Sequence, residues 1–259
     1  MWGDKLMVKY SSEIKIEALV KVNGKIIGVN SPTTALKNDI VREIGSCTKF
    51  ITGIDKICLV DDQDTERDCT TSLTFTDNAP TNVIVQGSIQ ASAPYTVKYI
   101  EVYSGEFVYF LISHTVTLNQ GDVLDISIEI SASVTCSLSG SVTQSSCDPS
   151  NLIMYLLKRL IGQETPCICL KRAKLMYYSE TEGRYVSGLT IELTLDYDIT
   201  YNKATGSGSG TSVIDFSASY LEYDNGEETP VMMIVQMFDQ TLPIYVDTVV
   251  TVSFEFSVT

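Results

Sequence analysis

The chain has 259 residues, with 18 Lys and Arg against 32 Asp and Glu and a single His, giving a formal net charge of -14. Apolar side chains make up 44% of it, including 14 Tyr and 8 Phe, which excludes a disordered chain and supplies enough apolar surface for one large domain or two of about 100 to 150 residues. The acidic balance repels nucleic-acid phosphates and anionic lipid, so any such contact needs a local basic patch.

The opening segment MWGDKLMVKYSSEIKIEAL lacks the apolar core and small-residue cleavage site of a secretory signal. No apolar run approaches the roughly 20 residues that cross a bilayer as a helix, so no membrane span is expected. Residues 1–33 read as an N-terminal β arm of two or three strands, with Val22-Asn23-Gly24-Lys25 as a type I′ hairpin signal. Such an arm either covers an edge of its own domain or adds to the sheet of a neighbouring molecule.

Two short helices follow from apolar positions at helical spacing, LKNDIVREIG at 36–45 and LIMYLLKRLIG at 152–162, each with a Gly placed as a C-cap. Superposing Gly45 on Gly162 sets KICLVDDQ (56–63) on AKLMYYSE (173–180) and YTVKYIEVY (95–103) on SVIDFSASY (212–220). After an insertion near Asp224-Asn225-Gly226, VYFLIS (108–113) falls on VMMIVQ (231–236) and SIEIS (127–131) on SFEFS (253–257). An internal duplication is therefore expected.

After each helix the sequence alternates with period two in β-branched and aromatic residues, broken by turn chemistry. In the first copy this predicts strands near 54–60, 71–76, 83–91, 95–103, 106–113 and 122–134. In the second it predicts strands near 172–178, 186–201, 211–223, 231–238 and 244–258, with the Gly-Ser stretch 206–210 as a mobile loop. The expected fold is all-β: two tandem antiparallel β-sandwich or jelly-roll domains, 34–148 and 149–259, each led by a short α-helix, behind the arm 1–33.

No catalytic, cofactor-binding or metal-binding residue is nominated. A Ser-His-Asp or Cys-His site would have to use His114, which sits in the strand-like FLISHTVT. The run Asp61, Asp62, Asp64, Glu66, Asp68 lacks the Gly and Glu of a calcium loop and reads as a solvated hairpin tip. Gly206, Gly208 and Gly210 form G-x-G-x-G without a phosphate-loop Lys. Seven cysteines, an odd number, leave at least one thiol unpaired within the chain; Cys167-Ile-Cys169 is a poor zinc spacing, so buried thiols with one or two disulfides are expected.

Charge is divided unevenly, at +2 over residues 1–45, -9 over 46–149, +4 over 150–175 and -11 over 176–259. The basic stretch Lys158, Arg159, Lys171, Arg172, Lys174 either meets an anionic partner such as a packaged genome or serves as helix-end and edge-strand charge. The segment Val116, Leu118, Gly121, Asp122, Leu124, Ile126, Ile128, Ile130, within 95–131, resembles the closing strands of small β domains in virion structural proteins of hyperthermophilic archaeal viruses. That resemblance implies a jelly-roll capsid-type component located in the virion, assembling with many copies of itself and with other virion proteins. The second copy has Leu-Pro-Ile-Tyr-Val-Asp where the first has Asn-Gln-Gly-Asp, which puts a shared turn function in doubt.

The reading is a self-assembling, non-enzymatic structural protein. Its alternatives are a receptor- or carbohydrate-binding fibre module using tyrosines such as Tyr99, Tyr103, Tyr109, Tyr177, Tyr178, Tyr220 and Tyr223, or a strand-donating filament subunit.

Overall fold

The computed structural model describes residues 5–259; the first four residues of the expected arm lie outside the described residues. Over the described residues the chain is all-β apart from two helices. Its elements are β1 (Lys5–Val22), β2 (Lys25–Asn30), α1 (Thr34–Ser46), β3 (Lys56–Asp61), β4 (Glu66–Thr70), β5 (Thr74–Asn78), β6 (Asn82–Gln90), β7 (Tyr95–Ser104), β8 (Phe107–Leu118), β9 (Val123–Gly140) and β10 (Gln144–Asp148). They continue with α2 (Ser150–Leu160), β11 (Arg172–Ser179), β12 (Arg184–Glu192), β13 (Thr194–Asp198), β14 (Lys203–Thr211), β15 (Phe216–Asp224), β16 (Met232–Ile244) and β17 (Val249–Val258). Neither helix is long and apolar enough to cross a membrane.

One eight-stranded sheet, in the order β13-β14-β17-β1-β9-β6-β5 with β2 beside β1, forms a floor for the whole molecule. Two smaller sheets lie on the same face of it as lids, β4-β3-β7-β8 over one half and β12-β11-β15-β16-β10 over the other. The alternation of β1 explains why the floor is continuous. Its even-numbered residues from Val8 to Val22 are buried, whereas its odd-numbered ones are exposed or half-buried. A strand whose buried face runs from Val8 to Val22, apolar except at Ser12, can support both lids. Tyr10 meets the second lid, its ring 5.5 Å from that of Tyr223. Further along, Val20 pairs with Ile128 of β9, in the half that the first lid covers.

The arm thus pairs within its own chain on both sides, antiparallel to β9 from Val8 to Val22 and parallel to β17 from Lys5 to Ile14. The hairpin after it forms at Asn23 and Gly24, both with positive φ.

Strand order in the two halves matches: β5-β6-β9 beside β13-β14-β17 in the floor, and β4-β3-β7-β8 beside β12-β11-β15-β16 in the lids. Each helix crosses over. α1 packs on β13, β14 and β17 of the far half as well as on β8 of its own, and α2 packs on β9 and β6 of the far half as well as on β16 of its own. The disulfide Cys47–Cys169 ties the end of α1 to the segment that precedes β11.

Several local expectations change. The Gly-Ser stretch 206–210 is not a loop but lies inside β14, hydrogen-bonded to β13 on one side and β17 on the other. Its glycines are there for contact: a Cβ on Gly206 would stand 2.2 Å from Phe254 Cε1, and one on Gly208 would stand 2.2 Å from the Glu192 carbonyl oxygen. The stretch 186–201 divides into β12 and β13 as the chain passes from lid to floor, and β4 precedes β5 where one strand was expected.

Gly45 does not cap α1. Cys47 takes the left-handed position with φ 56°, while Gly45 is buried where a Cβ would lie 2.5 Å from the Asp196 carbonyl oxygen. Gly162, at φ 74°, does follow the end of α2. Because the two glycines do different work, superposing them slips the strand match. The lid registers, Leu59 opposite Ile100 and Leu175 opposite Leu221, pair Leu59 with Leu175 and Ile100 with Leu221 instead.

Candidate interaction surfaces

The residues nominated or weighed from sequence do not converge. His114 is half-buried on β8, makes no side-chain hydrogen bond among the described residues, and has its imidazole pKa lowered by burial. In the acidic run four of the five carboxylates turn to different partners, and that of Asp62 makes no hydrogen bond or ion pair among the described residues. Asp61 is buried and accepts from the amides of Gln63 and Thr65 at 2.9 Å and from Arg67 Nε. Burial alone would raise its pKa, but these donors hold it below the usual carboxylate value. Asp64 pairs with Lys98 at 2.7 Å, Glu66 with Lys56 at 3.3 Å, and Asp68 accepts from the Tyr95 hydroxyl at 2.9 Å. Cys58, Glu66 and Cys69 are close enough to share a metal ion, but the two sulfurs form a disulfide with each other and offer no thiolate.

Three disulfides form, Cys47–Cys169, Cys58–Cys69 and Cys136–Cys147, one more than the most expected. Cys167 stays free and buried, its thiol pushed up to about 11 by burial and by Glu43.

The basic stretch is largely occupied inside the molecule. Lys158 reaches Asp77 at 3.5 Å, and Arg172 and Lys174 both bind Asp224, at 2.8 and 2.6 Å. Arg159 is buried against Glu43 at 3.2 Å and also donates to the carbonyls of Thr165 and Pro166. Glu43 in turn accepts from the amides of Phe50 and Ile51. Only Lys171 of the five lacks a carboxylate within 4 Å among the described residues.

Two groups of exposed apolar and aromatic side chains stand out by their arrangement. At one end of the floor the β14–β15 and β16–β17 loops are cross-tied by Ser212 N to Thr248 O and Asp247 N to Ser212 O, and they expose Val213 (81%), Ile214, Tyr245 (60%) and Val246. At the opposite end the β6–β7 and β8–β9 loops carry the same ties, Ala91 N to Asp122 O and Gly121 N to Ala91 O. There the tips are Ser92, Ala93, Pro94, Asn119 and Gln120. Gly121 and Asp247 both adopt positive φ, so the two turns share a backbone conformation although their residues differ.

The second group lies on the outer face of the second lid. Tyr178 and Tyr185 stack edge to face with ring centroids 5.4 Å apart, and Tyr185 with Tyr220 at 5.1 Å. Tyr185 had no part in the sequence reading. Its exposure follows from pairing opposite Tyr178 across the β11–β12 hairpin. Of the other tyrosines weighed for stacking, Tyr109 and Tyr223 are buried in the core.

No family model, no curated protein and no solved structure matches this chain.

Proposed function

We propose that the chain is a structural, self-assembling protein, a capsid or other virion component built from a duplicated β-sandwich unit of jelly-roll type. The observation that carries this reading is the repeated strand order. Two sets of strands with one order meet on a shared floor, closed at the centre by β1, and give a block with two ends of like backbone. Such a quasi-two-fold block presents its two halves in related orientations, a geometry that suits tiling even though the outer side chains of the halves differ. Duplication is further supported by the helices: Leu36, Ile40, Val41, Glu43 and Ile44 of α1 and Leu152, Leu156, Leu157, Arg159 and Leu160 of α2 are buried in the same spacing.

The apolar loops with Val213, Ile214, Tyr245 and Val246 provide a small contact area that gains strength only over many copies. Electron microscopy and light scattering of the purified chain across concentration, salt and pH test the reading. Regular shells, sheets or filaments are the expected result, and a monomer that persists at high concentration under all conditions overturns it.

A further inference from the structure

The two lids treat matched tyrosines differently. On β7 the chain makes a bulge between Val97 and Tyr99, and on β15 it makes one between Ala218 and Tyr220. Two residues beyond each tyrosine stands a glutamate, Glu101 or Glu222. The register therefore places Tyr99 and Tyr220 at corresponding points of the two outer faces.

In the first lid the chain covers these rings with its own ammonium groups. Lys98 Nζ lies 4.9 Å from the centroid of the Tyr99 ring, and Lys56 Nζ lies 4.0 Å from that of Tyr103. An ammonium over an aromatic face is attracted by the negative face of the ring. Asp64 and Glu66 hold the two lysines in place.

In the second lid the residue before Tyr220 is Ser219, so no lysine stands beside the ring. Arg172, which opposes Asp224 as Lys56 opposes Tyr103, binds the Asp224 carboxylate at 2.8 Å. Lys174, opposite Glu222 in the register and favouring its charged form, is held by Asp224 at 2.6 Å and does not lie over a tyrosine ring. The faces of Tyr178 (52% exposed) and Tyr185 (45% exposed) are left open beside Tyr220 and Glu222. Burial and the nearby Glu222 push the Tyr220 hydroxyl up to about 12, so the phenol is neutral at physiological pH.

We infer that Tyr178, Tyr185 and Tyr220, with Glu222 beside them, form a binding site for a lysine side chain of another polypeptide, which takes the place that Lys98 fills within the first lid. Charge complementarity supports this occupant: residues 176–259 carry a balance of -11, and the described cations nearest the site, Arg172, Lys174 and Arg184, are paired with Asp224 or Glu182. The inference concerns this one face and stands whether or not the chain assembles with itself.

The test is a titration of the full chain, with its tyrosine rings isotopically labelled, by N-acetyl-lysinamide at constant ionic strength. The neutral norleucine analogue, tetramethylammonium and a methyl glycoside serve as parallel arms. A saturable shift of the Tyr178, Tyr185 and Tyr220 resonances is expected with the lysine compound, with a dissociation constant in the millimolar range. The norleucine analogue should bind at least several-fold more weakly.

Tyr185→Ala should weaken the interaction about fivefold or more, and Ser219→Lys, which restores an internal lysine, should abolish it while leaving the fold intact. Lys98→Ala should expose Tyr99 and create a second set of shifting resonances. Equal response to lysine and norleucine compounds, a response only to tetramethylammonium or only to the glycoside, or no saturable shift in a folded protein would each overturn the proposal.

Discussion

The lids of this molecule share a strand order but not an outer surface, and the contrast separates what the backbone requires from what it leaves free. Inside, the positions correspond: Val97, Ile100 and Val102 of β7 are buried as Ala218, Leu221 and Tyr223 of β15 are, and Ile57 and Leu59 of β3 as Ala173 and Leu175 of β11. Outside, at the cross-strand position where Lys56 lies over the ring of Tyr103, Arg172 instead binds the carboxylate of Asp224. The inward residues hold the lids on the floor by burial, which stabilises by roughly 1.5–3 kcal/mol for each large aliphatic side chain. The outward ones are free to diverge, and there the halves acquire separate roles.

The largest effect is expected at the buried junction where an acidic residue of one half meets a basic residue of the other. Glu43 and Arg159 occupy matched helix positions, and both are buried. Arg159→Ala leaves a carboxylate in an apolar junction and should cost about 3–5 kcal/mol in denaturant unfolding. Replacing the pair together, Glu43→Gln with Arg159→Met, should recover most of that loss. The charge-swapped double variant Glu43→Arg with Arg159→Glu is more informative. Glu43 accepts from the amides of Phe50 and Ile51, but the residue corresponding to Phe50 in the second half is Pro166, which has no N–H to donate. The swap should therefore recover only part of the stability, and full recovery would mean that the halves are interchangeable here.

The disulfides come next. Cys47–Cys169 spans 122 residues and joins the halves, whereas Cys58–Cys69 and Cys136–Cys147 each span 11. In the loop-entropy account a bond closing about 100 residues contributes about 4.7 kcal/mol and one closing about 15 contributes about 3. The double variant Cys47→Ala with Cys169→Ala should thus lose more denaturant stability than Cys58→Ala with Cys69→Ala. Equal losses would show that the two halves are held together without the bond.

Much of this architecture was legible in sequence because period-two alternation is a strong signal wherever one strand face is buried. β6 and β7 of the first half fall within about a residue of their expected ranges for that reason, whereas β9 runs on to Gly140 and β17 starts only at Val249. β14 escaped notice because its sequence, KATGSGSGT, has the composition of a linker, and only the crowding of Phe254 and Glu192 around it explains the glycines. The pairing of β1 with β17 joins the two ends of the chain, and no local pattern announces a partner more than 200 residues away. The surfaces were less legible still. Tyr178 and Tyr220 could be named, but the absence of a covering lysine beside Tyr220 acquires meaning only next to Lys98 over Tyr99.

A smaller effect distinguishes two glycines at corresponding places in the floor. A Cβ on Gly208 would meet the backbone oxygen of Glu192 at 2.2 Å, whereas one on Gly87 would meet the ends of the Leu73 and Thr70 side chains at 2.9 Å. Side-chain ends can rotate away and a strand backbone cannot. Gly208→Ala should cost about 1–3 kcal/mol, the range for overpacking, and Gly87→Ala less. The reverse order in thermal unfolding would show that β12 moves more easily than β4.

The least effect is expected from acid, and it should come from one lid. Burial alone would raise the Asp224 pKa, but Lys174, Arg172 and the Gly226 amide together hold it below the usual aspartate value. A carboxyl group with a lowered folded-state pKa contributes stability above the unfolded value and loses it as pH falls through the folded one. At the corresponding point the first lid has the phenol of Tyr103, which does not titrate in acid. Asp224→Asn should therefore lower stability near neutral pH and flatten its decline in acid, while Tyr103→Phe should leave the slope of that decline unchanged. Denaturant midpoints measured from pH 7 down to the onset of acid unfolding provide the comparison. Parallel curves for wild type and Asp224→Asn would mean that Arg172 and Lys174 do not stabilise the charged form of Asp224, and that the two outer faces are electrostatically alike.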